Sequence, residues 1–574
     1  MDYQTDWRRF TGRPMVRDEF YVGSDFFAAN GESAFWYFTL VRWACIPFSL
    51  LGAWVCYLWG RDLYGATAGL LAAALWCFSP NILAHGAMIT PDVGSAALGV
   101  LAGYLFWRWL REPSWTWAVL AGIALGLAEL TKFTWVVLFV LWPLLWVVYR
   151  RTSGAPRAWR LEAGQLGLVA LLAVYAINAG YGFEGSFTRL GDFEFVSETL
   201  GGPEQDRAGP TGNRFRDSWR AGVPVPVPRN YVSGIDVQKR DFERGKRSYL
   251  RGEWKQGGWW YYYVYALLVK VPVGTWVLFT LAGCVSLQSL RSGISADTET
   301  PEQPGSSEAA GPRPTSWRDE LVLLAPAAVV LVLVSSQTGF NHHLRYVLPA
   351  FPFAFVWISK VARHVHWGRK APGADASGSP NDAGPNARGA PGRWFTVVVC
   401  AALLWSVGSS LWVYPHSLSY FNEPAGGPMN GHAHLVDSNI DWGQDLLYLK
   451  DWYDEHPEAR PFHLAYFGMF NPQFAGFEYR LPPETPHPGW YAVSVNFLKG
   501  MQFSTWNGER RRELIGPKRC VYFQHFEPVA RAGYSIYIYH VTLDEANRVR
   551  RKLGLPLLTA EDAAPHSHQP GEQP

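Results

Sequence analysis

The sequence has little charge for its length. Asp, Glu, Lys and Arg make up 17% of its 574 residues, against roughly 25% in an ordinary soluble domain. The 51 basic and 48 acidic residues almost cancel, which leaves a net charge of +3. Because this balance provides no strongly basic surface, we predict no nucleic-acid partner.

The sequence also lacks the motifs of several common enzyme classes. It contains no glycine-rich loop of the Walker or Rossmann type, no H-E-x-x-H and no G-x-S-x-G. These absences argue against nucleotide-driven, zinc-protease and serine-hydrolase chemistry. The six cysteines show no C-x-x-C spacing, so neither a zinc ribbon nor a disulfide scaffold is indicated.

Long apolar runs are what the sequence has instead. A helix needs about 20 mostly apolar residues to cross the core of a lipid bilayer, where its backbone groups must bond to one another. Such runs predict a polytopic α-helical membrane protein with about ten spans. The spans are Trp36–Trp59, Leu63–Ala84, Val93–Leu110, Ser114–Leu130, Thr134–Tyr149, Glu162–Gly180, Gly258–Cys284, Leu321–Thr338, Tyr346–Ile358 and Trp394–Val413.

Basic residues are distributed unevenly over the loops between these runs. On one side of the predicted membrane, the only basic residues in the short loops are Lys132 and Arg345. The loops on the other side contain many more lysines and arginines, and the positive-inside rule makes that side cytoplasmic. The loop at 181–257 is long enough to cross the membrane regardless of its charge. The cytoplasmic set is Arg61, Arg108, Arg111, Arg150, Arg151, Arg157, Arg160, Arg291, Arg369 and Lys370.

The N-terminal segment is expected to lie outside, because an even number of spans places both termini on one side. Residues 1–35 contain no apolar segment that would translocate them. Their four arginines also disfavour the external side. We therefore expect that a first transmembrane helix is missing from this chain.

The composition divides the chain into six predicted parts. Two cytoplasmic linkers and the tail are rich in small and polar residues and are predicted to be disordered. Short apolar runs that alternate with turn residues predict a small external α/β domain near the C-terminus, with a helix over Trp442–Glu455. The parts are an external segment at 1–35, a core of six spans at 36–180, an external loop at 181–257, further spans at 258–413 with linkers at 292–316 and 368–392, the α/β domain at 414–558 and the tail at 559–574.

Two charged residues stand at predicted external ends of spans. Asp92 follows Pro91, so it is either the N-cap of the next helix or an acid with a catalytic or cation-binding role. Lys132 either extends its amine to the membrane interface or binds the phosphate of a lipid headgroup.

Two further polar groups mark candidate binding residues. His342, His343 and Arg345 lie together at another predicted external helix end, where a guanidinium would suit a phosphate. The run from Asp437 to Asp445 includes Asn439, Asp441 and Trp442, whose amide, acid and indole groups would suit a carbohydrate. Helix capping and a satisfied interfacial cluster are the structural alternatives. The five consecutive aromatics at 259–263 are typical of a membrane-interface belt.

The order of several stretches resembles one family of membrane enzymes. RDLYGATAGLLAAALWCFSPNILAHGAMITPD, GIALGLAELTKFT, NAGYGFEG, YLRGEWKQGGWWYYYVYALLVKVP and SLSYFNEPAGGPMNGHAHLVDSNIDWGQDL occur in that order. Together they resemble a bacterial branch of the dolichyl-phosphate-mannose protein mannosyltransferases, glycosyltransferase family 39 of the GT-C superfamily. The resemblance extends from about residue 35 to residue 542.

This resemblance implies an inverting glycosyltransferase of the bacterial inner membrane. Its donor would be a polyprenyl-phosphate-linked sugar such as mannose, and its acceptor a hydroxyl of a protein or cell-envelope glycan on the external face. Asp92 then lies where the family has an acidic residue, and Lys132, His342, His343 and Arg345 lie where a departing phosphate needs charge. No cofactor is required by this pattern, although a divalent cation is compatible with it.

One family feature lies outside this pattern. The principal acid of the family belongs to an Asp-Glu pair that follows a first transmembrane helix, and the surroundings of Asp18-Glu19 resemble the end of that loop instead. Two alternatives therefore stay open, a transporter or flippase for a lipid-linked sugar and an inactive scaffold that binds the donor.

Overall fold

The computed structural model describes most of the chain. The described residues are 18–152, 158–203, 209–291, 315–365 and 393–561. Residues 1–17, the linker predicted at 368–392, most of the linker predicted at 292–316 and most of the tail predicted at 559–574 lie outside them.

The described residues are mainly helical. Several of the helices are joined by short 3-10 segments, of which Phe133–Val137, Leu344–Ala350 and Asp437–Asn439 matter below. The α-helices are α1 (Asp18–Asn30), α2 (Ser33–Tyr64), α3 (Ala66–Cys77), α4 (Pro80–Gly86), α5 (Pro91–Arg111), α6 (Trp115–Thr131), α7 (Leu138–Thr152), α8 (Trp159–Gly180), α9 (Glu198–Gly201), α10 (Arg229–Arg244), α11 (Tyr262–Lys270), α12 (Val273–Arg291), α13 (Trp317–Ser336), α14 (Phe351–Ile358), α15 (Arg393–Val413), α16 (Gly427–Asn430), α17 (Leu446–Glu455), α18 (Val495–Leu498) and α19 (Leu543–Lys552).

Each of the ten predicted spans coincides with an apolar helical segment. By length and composition, seven helices among the described residues are able to cross a membrane, and two bent pairs, α3 with α4 and α11 with α12, raise this number to nine. The tenth segment is α6, which is apolar but has 17 residues. The predicted fold class, a polytopic helical membrane protein with a small C-terminal α/β domain, is confirmed.

Two predicted spans are bent where the sequence contains proline. Val271 is extended before Pro272, and α11 and α12 meet at 112°. Ser79 is likewise extended before Pro80, and α3 and α4 meet at 58°. Both bends follow from these prolines, because proline disfavours a helical conformation in the residue before it.

Small residues bring α6 close to its neighbours. A Cβ atom added to Gly126 would lie 2.5 Å from Cβ of Ala176 on α8, a separation that only glycine permits. The following 3-10 segment is held against α5 by Trp135, whose Nε1 donates to the backbone oxygen of Ser95 at 3.0 Å. These contacts fix the end of α6, and therefore Lys132, beside the start of α5.

The C-terminal domain is built on a four-stranded sheet. The strands of the described residues are β1 (Arg247–Leu250), β2 (Glu253–Gln256), β3 (Phe462–Ala465), β4 (Gly489–Ser494), β5 (Phe503–Trp506), β6 (Arg512–Ile515), β7 (Ala530–Ala532) and β8 (Ile536–Val541). The order in the sheet is β3-β4-β8-β7, with β3 parallel to β4 and the other pairs antiparallel. β5 and β6 form a separate hairpin in the same domain, and β1 and β2 form a hairpin in the loop before α11.

The helix predicted over Trp442–Glu455 begins later than expected. Gly443 has φ of +77°, a left-handed conformation that a helix cannot contain, and α17 starts only at Leu446. The polar run before α17 is therefore a set of turns. It faces the start of the 3-10 segment Leu344–Ala350, where the backbone NH of Leu344 donates to Oδ1 of Asn439 at 2.9 Å.

Candidate active site

A carboxylate and two cations form a cluster where α5 begins and α6 ends. Nζ of Lys132 lies 2.8 Å from Oδ1 of Asp92, and Nη1 of Arg345 lies 3.3 Å from Oδ2 of the same carboxylate. The three residues come from distant parts of the sequence. The structure therefore brings together the predicted acid and two of the predicted phosphate ligands, and we call these three residues the cation cluster.

Asp92 is not the helix cap considered above. Thr90 is the N-cap of α5, Pro91 takes the first helical position, and Asp92 lies in the first turn. The capping interpretation is wrong, because proline's fixed φ and missing NH suit the first position of a helix. The carboxylate instead forms ion pairs with Lys132 and Arg345, and its negative charge is also stabilised by the positive end of the helix dipole.

The cations of the cluster are more accessible than its carboxylate. The side chains of Lys132 and Arg345 are 18% and 20% exposed, whereas that of Asp92 is 1% exposed. The amine of Lys132 lies 5.3 Å from the ring centre of Tyr346, and the guanidinium of Arg345 lies 4.5 Å from that of Trp442. Lys132 thus takes part in an ion pair and does not simply extend to an interface.

Buried polar atoms without partners lie close to this cluster. Nε of Arg345, Nδ1 of His85 and Oγ1 of Thr90 are buried and make no hydrogen bond to any residue that the structure describes. A cavity of about 350 Å³ is lined by His85, Thr90 and Thr131, next in sequence to Lys132. A buried donor or acceptor without a partner costs about 1–3 kcal/mol, so several of them together indicate a place where a ligand or water binds.

The two predicted histidines lie beside the cation cluster and contact Asp437. Nδ1 of His342 lies 3.6 Å from Oδ2 of Asp437, and Nδ1 of His343 lies 3.8 Å from Oδ1. The rings of His343 and Trp442 are nearly parallel, with centres 6.4 Å apart. The predicted phosphate residues and Trp442 therefore form one continuous surface.

Asn439 and Asp441 lie inside the protein and not on this surface. Asn439 is 2% exposed, and its amide donates to the backbone oxygens of His342 and Val436. Asp441 is fully buried, and its Oδ1 accepts from the backbone NH of Gly443 at 2.9 Å. Burial raises the pKa of the Asp441 carboxyl well above its usual value. The prediction that these two residues contact a sugar is not supported, and of the three only Trp442 is partly exposed.

The aromatic run before α11 belongs only in part to a membrane-interface belt. Trp260 is 70% exposed, whereas Tyr262 and Tyr263 are buried. The hydroxyl of Tyr262 accepts from Nδ2 of Asn439 at 3.0 Å. The belt interpretation is wrong for the two buried tyrosines, which lie in the protein interior against the polar turns.

Sequence analysis missed several residues of the site. Asp437 was noticed only as part of an acidic run, and Tyr346 only as the start of a span. His85 offered a clearer signal, since no other histidine and no Asp, Glu, Lys or Arg occurs between Asp62 and Asp92. A buried polar residue within an apolar run is often functional in a membrane protein.

The fold and the site define a polytopic membrane protein with a cation cluster at the helix ends that face its C-terminal domain. Residues 37–177, which include Asp92 and Lys132, match the family model described as dolichyl-phosphate-mannose-protein mannosyltransferase. The resemblance to this family predicted from the sequence is confirmed over that segment. A search of curated proteins gives no match.

Two solved structures are similar to this chain. A crystal structure of ArnT from Cupriavidus metallidurans in the apo state has 12% identity and a TM-score of 0.37, with 87% of this chain and 82% of that chain covered. A crystal structure of the same protein bound to undecaprenyl phosphate has 14% identity and a TM-score of 0.36, with 83% of each chain covered.

Proposed function

We propose that this protein is a membrane glycosyltransferase that uses a polyprenyl-phosphate-linked sugar. The donor sugar is a hexose such as mannose, and the acceptor is a hydroxyl of a protein or cell-envelope glycan. The active face is extracytoplasmic, on the bacterial inner membrane. The observation that carries this proposal is the cation cluster, in which two accessible cations share one buried carboxylate.

The proposed reaction is a single displacement at the anomeric carbon. The acceptor oxygen attacks C1 of the sugar, the bond from C1 to the phosphate oxygen breaks, and polyprenyl phosphate leaves with the bonding electron pair. The hydroxyl proton passes to a general base. Attack from the side opposite to the leaving phosphate inverts the configuration at C1.

Lys132 and Arg345 are proposed to bind the donor phosphate. The donor is a phosphodiester with one negative charge, and cleavage of its C1–O bond releases polyprenyl phosphate as a monoester dianion. Charge therefore grows on the phosphate oxygens in the transition state, and nearby cations lower the barrier. Nε of Arg345 is buried and has no partner among the described residues, so it provides a donor for one of these oxygens. Trp442, whose ring lies against Arg345, provides an apolar face for the sugar or the acceptor.

Asp92 is proposed to position the cations first and to act as the base afterwards. In the structure both of its oxygens contact cations. A donor phosphate would compete for Lys132 and Arg345, and a carboxylate released from them would have lone pairs open to a proton. The acceptor hydroxyl would then need to come within hydrogen-bond reach of Asp92.

A transfer assay with the reconstituted protein tests this function. Vesicles that contain the full-length protein are supplied with radiolabelled polyprenyl-phosphate hexoses, and label is followed into protein and glycan fractions. We expect Asp92→Asn to bind donor but to lose transfer, and Lys132→Ala to bind donor less tightly. Lys450→Ala is the matched control, because Lys450 pairs with Asp454 on the exposed side of α17.

The same assay separates the alternatives. Movement of the lipid-linked sugar across the vesicle membrane without transfer would indicate a flippase. Donor binding without transfer or movement would indicate a scaffold. Equal transfer by the wild type and by Lys132→Ala would contradict the proposed role of the cation cluster.

A further inference from the structure

Three side chains that are able to bind a metal ion converge beside the cation cluster. His342, His343 and Asp437 each offer one ligand atom, and these atoms all lie within 4.8 Å of one another. The two histidines belong to the segment that precedes Leu344, and Asp437 begins the 3-10 segment Asp437–Asn439 of the C-terminal domain. The group therefore forms only where the two parts of the fold meet.

The ring of His342 is oriented as in a metal ligand. Its Nε2 lies 2.7 Å from the backbone oxygen of Arg247 on β1. Because a carbonyl oxygen can only accept, Nε2 carries the hydrogen and Nδ1 keeps its lone pair. That lone pair is on the nitrogen nearest to Asp437. Histidines that bind metals commonly donate their other ring NH to a carbonyl or carboxylate in this way.

The carboxylate of Asp437 is held in place but is not neutralised by a lysine or arginine. Among the described residues, its ion-pair contacts within 4 Å are with the two histidines. Its backbone has φ of +64°, a strained conformation for a residue other than glycine. The backbone NH donates to Oδ1 of Asn496 at 2.7 Å, and this bond fixes the turn.

We propose that His342, His343 and Asp437 bind a divalent transition-metal ion such as Zn²⁺. Two imidazole nitrogens and one carboxylate oxygen suit zinc better than magnesium or calcium, which prefer oxygen ligands. Bonds of about 2.0–2.1 Å place ligand atoms of a tetrahedral site roughly 3.4 Å apart. The histidine nitrogens lie 3.6 Å from Oδ2 and 3.8 Å from Oδ1 of Asp437, and the three ligand atoms lie within 4.8 Å of one another. Rotation of the side chains therefore has to bring one carboxylate oxygen and the two nitrogens onto the ion.

The hydroxyl of Ser438 is the group that must move. It makes a short hydrogen bond to Nδ1 of His343, the nitrogen nearest to Asp437. Metal binding turns this hydroxyl away and leaves the fourth position of the ion open. Three protein ligands with one open position are the arrangement of zinc sites that bind a substrate oxygen.

The open position faces the part of the site that we assign to the donor. His343 lies against Trp442, and Trp442 lies against Arg345. A metal ion here would bind a phosphate oxygen of the donor lipid and add to the charge of Lys132 and Arg345. This role rests on the proposed function, whereas the metal site itself does not.

Cobalt binding by the full-length protein tests the site. The protein is purified in detergent without a histidine tag, stripped with a chelator and titrated with Co²⁺, and the visible absorption of the bound ion is recorded. We expect one Co²⁺ per chain, which Zn²⁺ displaces. Asp437→Asn and His342→Gln should each weaken binding more than tenfold, because each removes one of three ligands.

Two matched variants control for nonspecific loss. Ser438→Ala frees Nδ1 of His343 and should bind Co²⁺ at least as tightly as the wild type. His416→Gln disturbs a different histidine–aspartate contact, 2.8 Å from Asp445, and should also keep the metal. Thermal unfolding of the stripped proteins shows whether each variant is folded.

The proposal and the proposed function fail in different ways. Absence of stoichiometric binding by the wild type, or equal binding by folded Asp437→Asn, would overturn the metal site. Metal binding without sugar transfer from any donor would leave the site standing and would reject the proposed function. Full transfer by a protein that binds no metal would overturn the metal site and leave the proposed function standing.

Discussion

The two ends of the helical bundle arrange their charged residues in different ways. At the domain end, which we define by Asp92, Lys132 and Arg345, two cations share one carboxylate, and both are partly accessible. At the opposite end, Arg150 and Glu162 form a pair at 2.7 Å, with side chains 8% and 6% exposed. The cluster at the domain end has more positive charge than its carboxylate balances, whereas the guanidinium of Arg150 lies against a carboxylate in a buried pair.

Hydrogen bonding shows the same difference. At the opposite end Glu162 also accepts from Nε1 of Trp146 at 2.7 Å, and the second nitrogen of Arg150 donates to the backbone oxygen of Leu110 at 2.6 Å. At the domain end Nε of Arg345 is buried, and within the described ranges of the chain nothing accepts its hydrogen. A saturated ion pair holds helices together, whereas an unsaturated one is available for a ligand.

Among the variants that compare the cations of the two ends, replacement of Arg345 should have the largest effect on activity. We expect Arg345→Ala to reduce transfer by about 100-fold to 1,000-fold, the usual loss when one preorganised donor is removed from a developing charge. Arg345→Lys should recover only part of this, since an amine cannot bind a phosphate through two parallel hydrogen bonds. Initial rates at saturating and limiting donor concentrations measure the effect.

Stability provides the control for this prediction. Asp92 keeps its contact with Lys132 in both variants, so their thermal unfolding should stay close to that of the wild type. Transfer within threefold of the wild type in Arg345→Ala would contradict the assignment of the domain end.

Replacement of Glu162 should give the reverse pattern. Glu162→Gln removes the carboxylate charge that pairs with the buried guanidinium of Arg150, and loss of one partner of a buried pair costs about 3 kcal/mol. Transfer per folded molecule should not change, because this pair lies at the opposite end. Thermal unfolding in detergent and specific activity are measured on the same sample, and a large loss of specific activity without a loss of stability would break the comparison.

Much of the fold could be predicted because membrane spans are recognisable in the sequence as long apolar runs. Every apolar run that was long enough became a helical segment, and the bends at Ser79 and Val271 follow from the prolines after them. The start of α17 was misplaced because nothing in the pattern revealed the left-handed conformation of Gly443.

The sequence indicated which residues belong to the candidate site but not which of them contact one another. Asp92, Lys132 and Arg345 stood out because charged residues are rare at the predicted external ends of the spans. Their pairing depends on helix packing across separate segments, which no local pattern encodes. Asp437 was missed for the same reason, since its histidine partners precede it by more than 90 residues.

The smallest predicted effect concerns Asp441, a buried carboxyl near the domain end. In the part of the chain that the structure describes, no ion pair within 4 Å balances it, and burial raises its pKa well above the usual value. A carboxyl with a raised pKa in the folded state contributes stability below its unfolded pKa of about 3.9. This contribution is lost as the pH rises through the folded-state pKa.

Asp441→Asn should therefore stabilise the protein at high pH and have little effect at low pH. The amide oxygen of asparagine can still accept the hydrogen bond that the backbone NH of Gly443 makes to Oδ1, so the turn is kept while the ionisable group is removed. Melting temperatures of both proteins between about pH 4 and pH 9 give the difference as a function of pH. A constant difference would show that Asp441 is ionised throughout. It would then be held by a partner as the carboxylates of the opposite end are, and the contrast between the two ends would not extend to this residue.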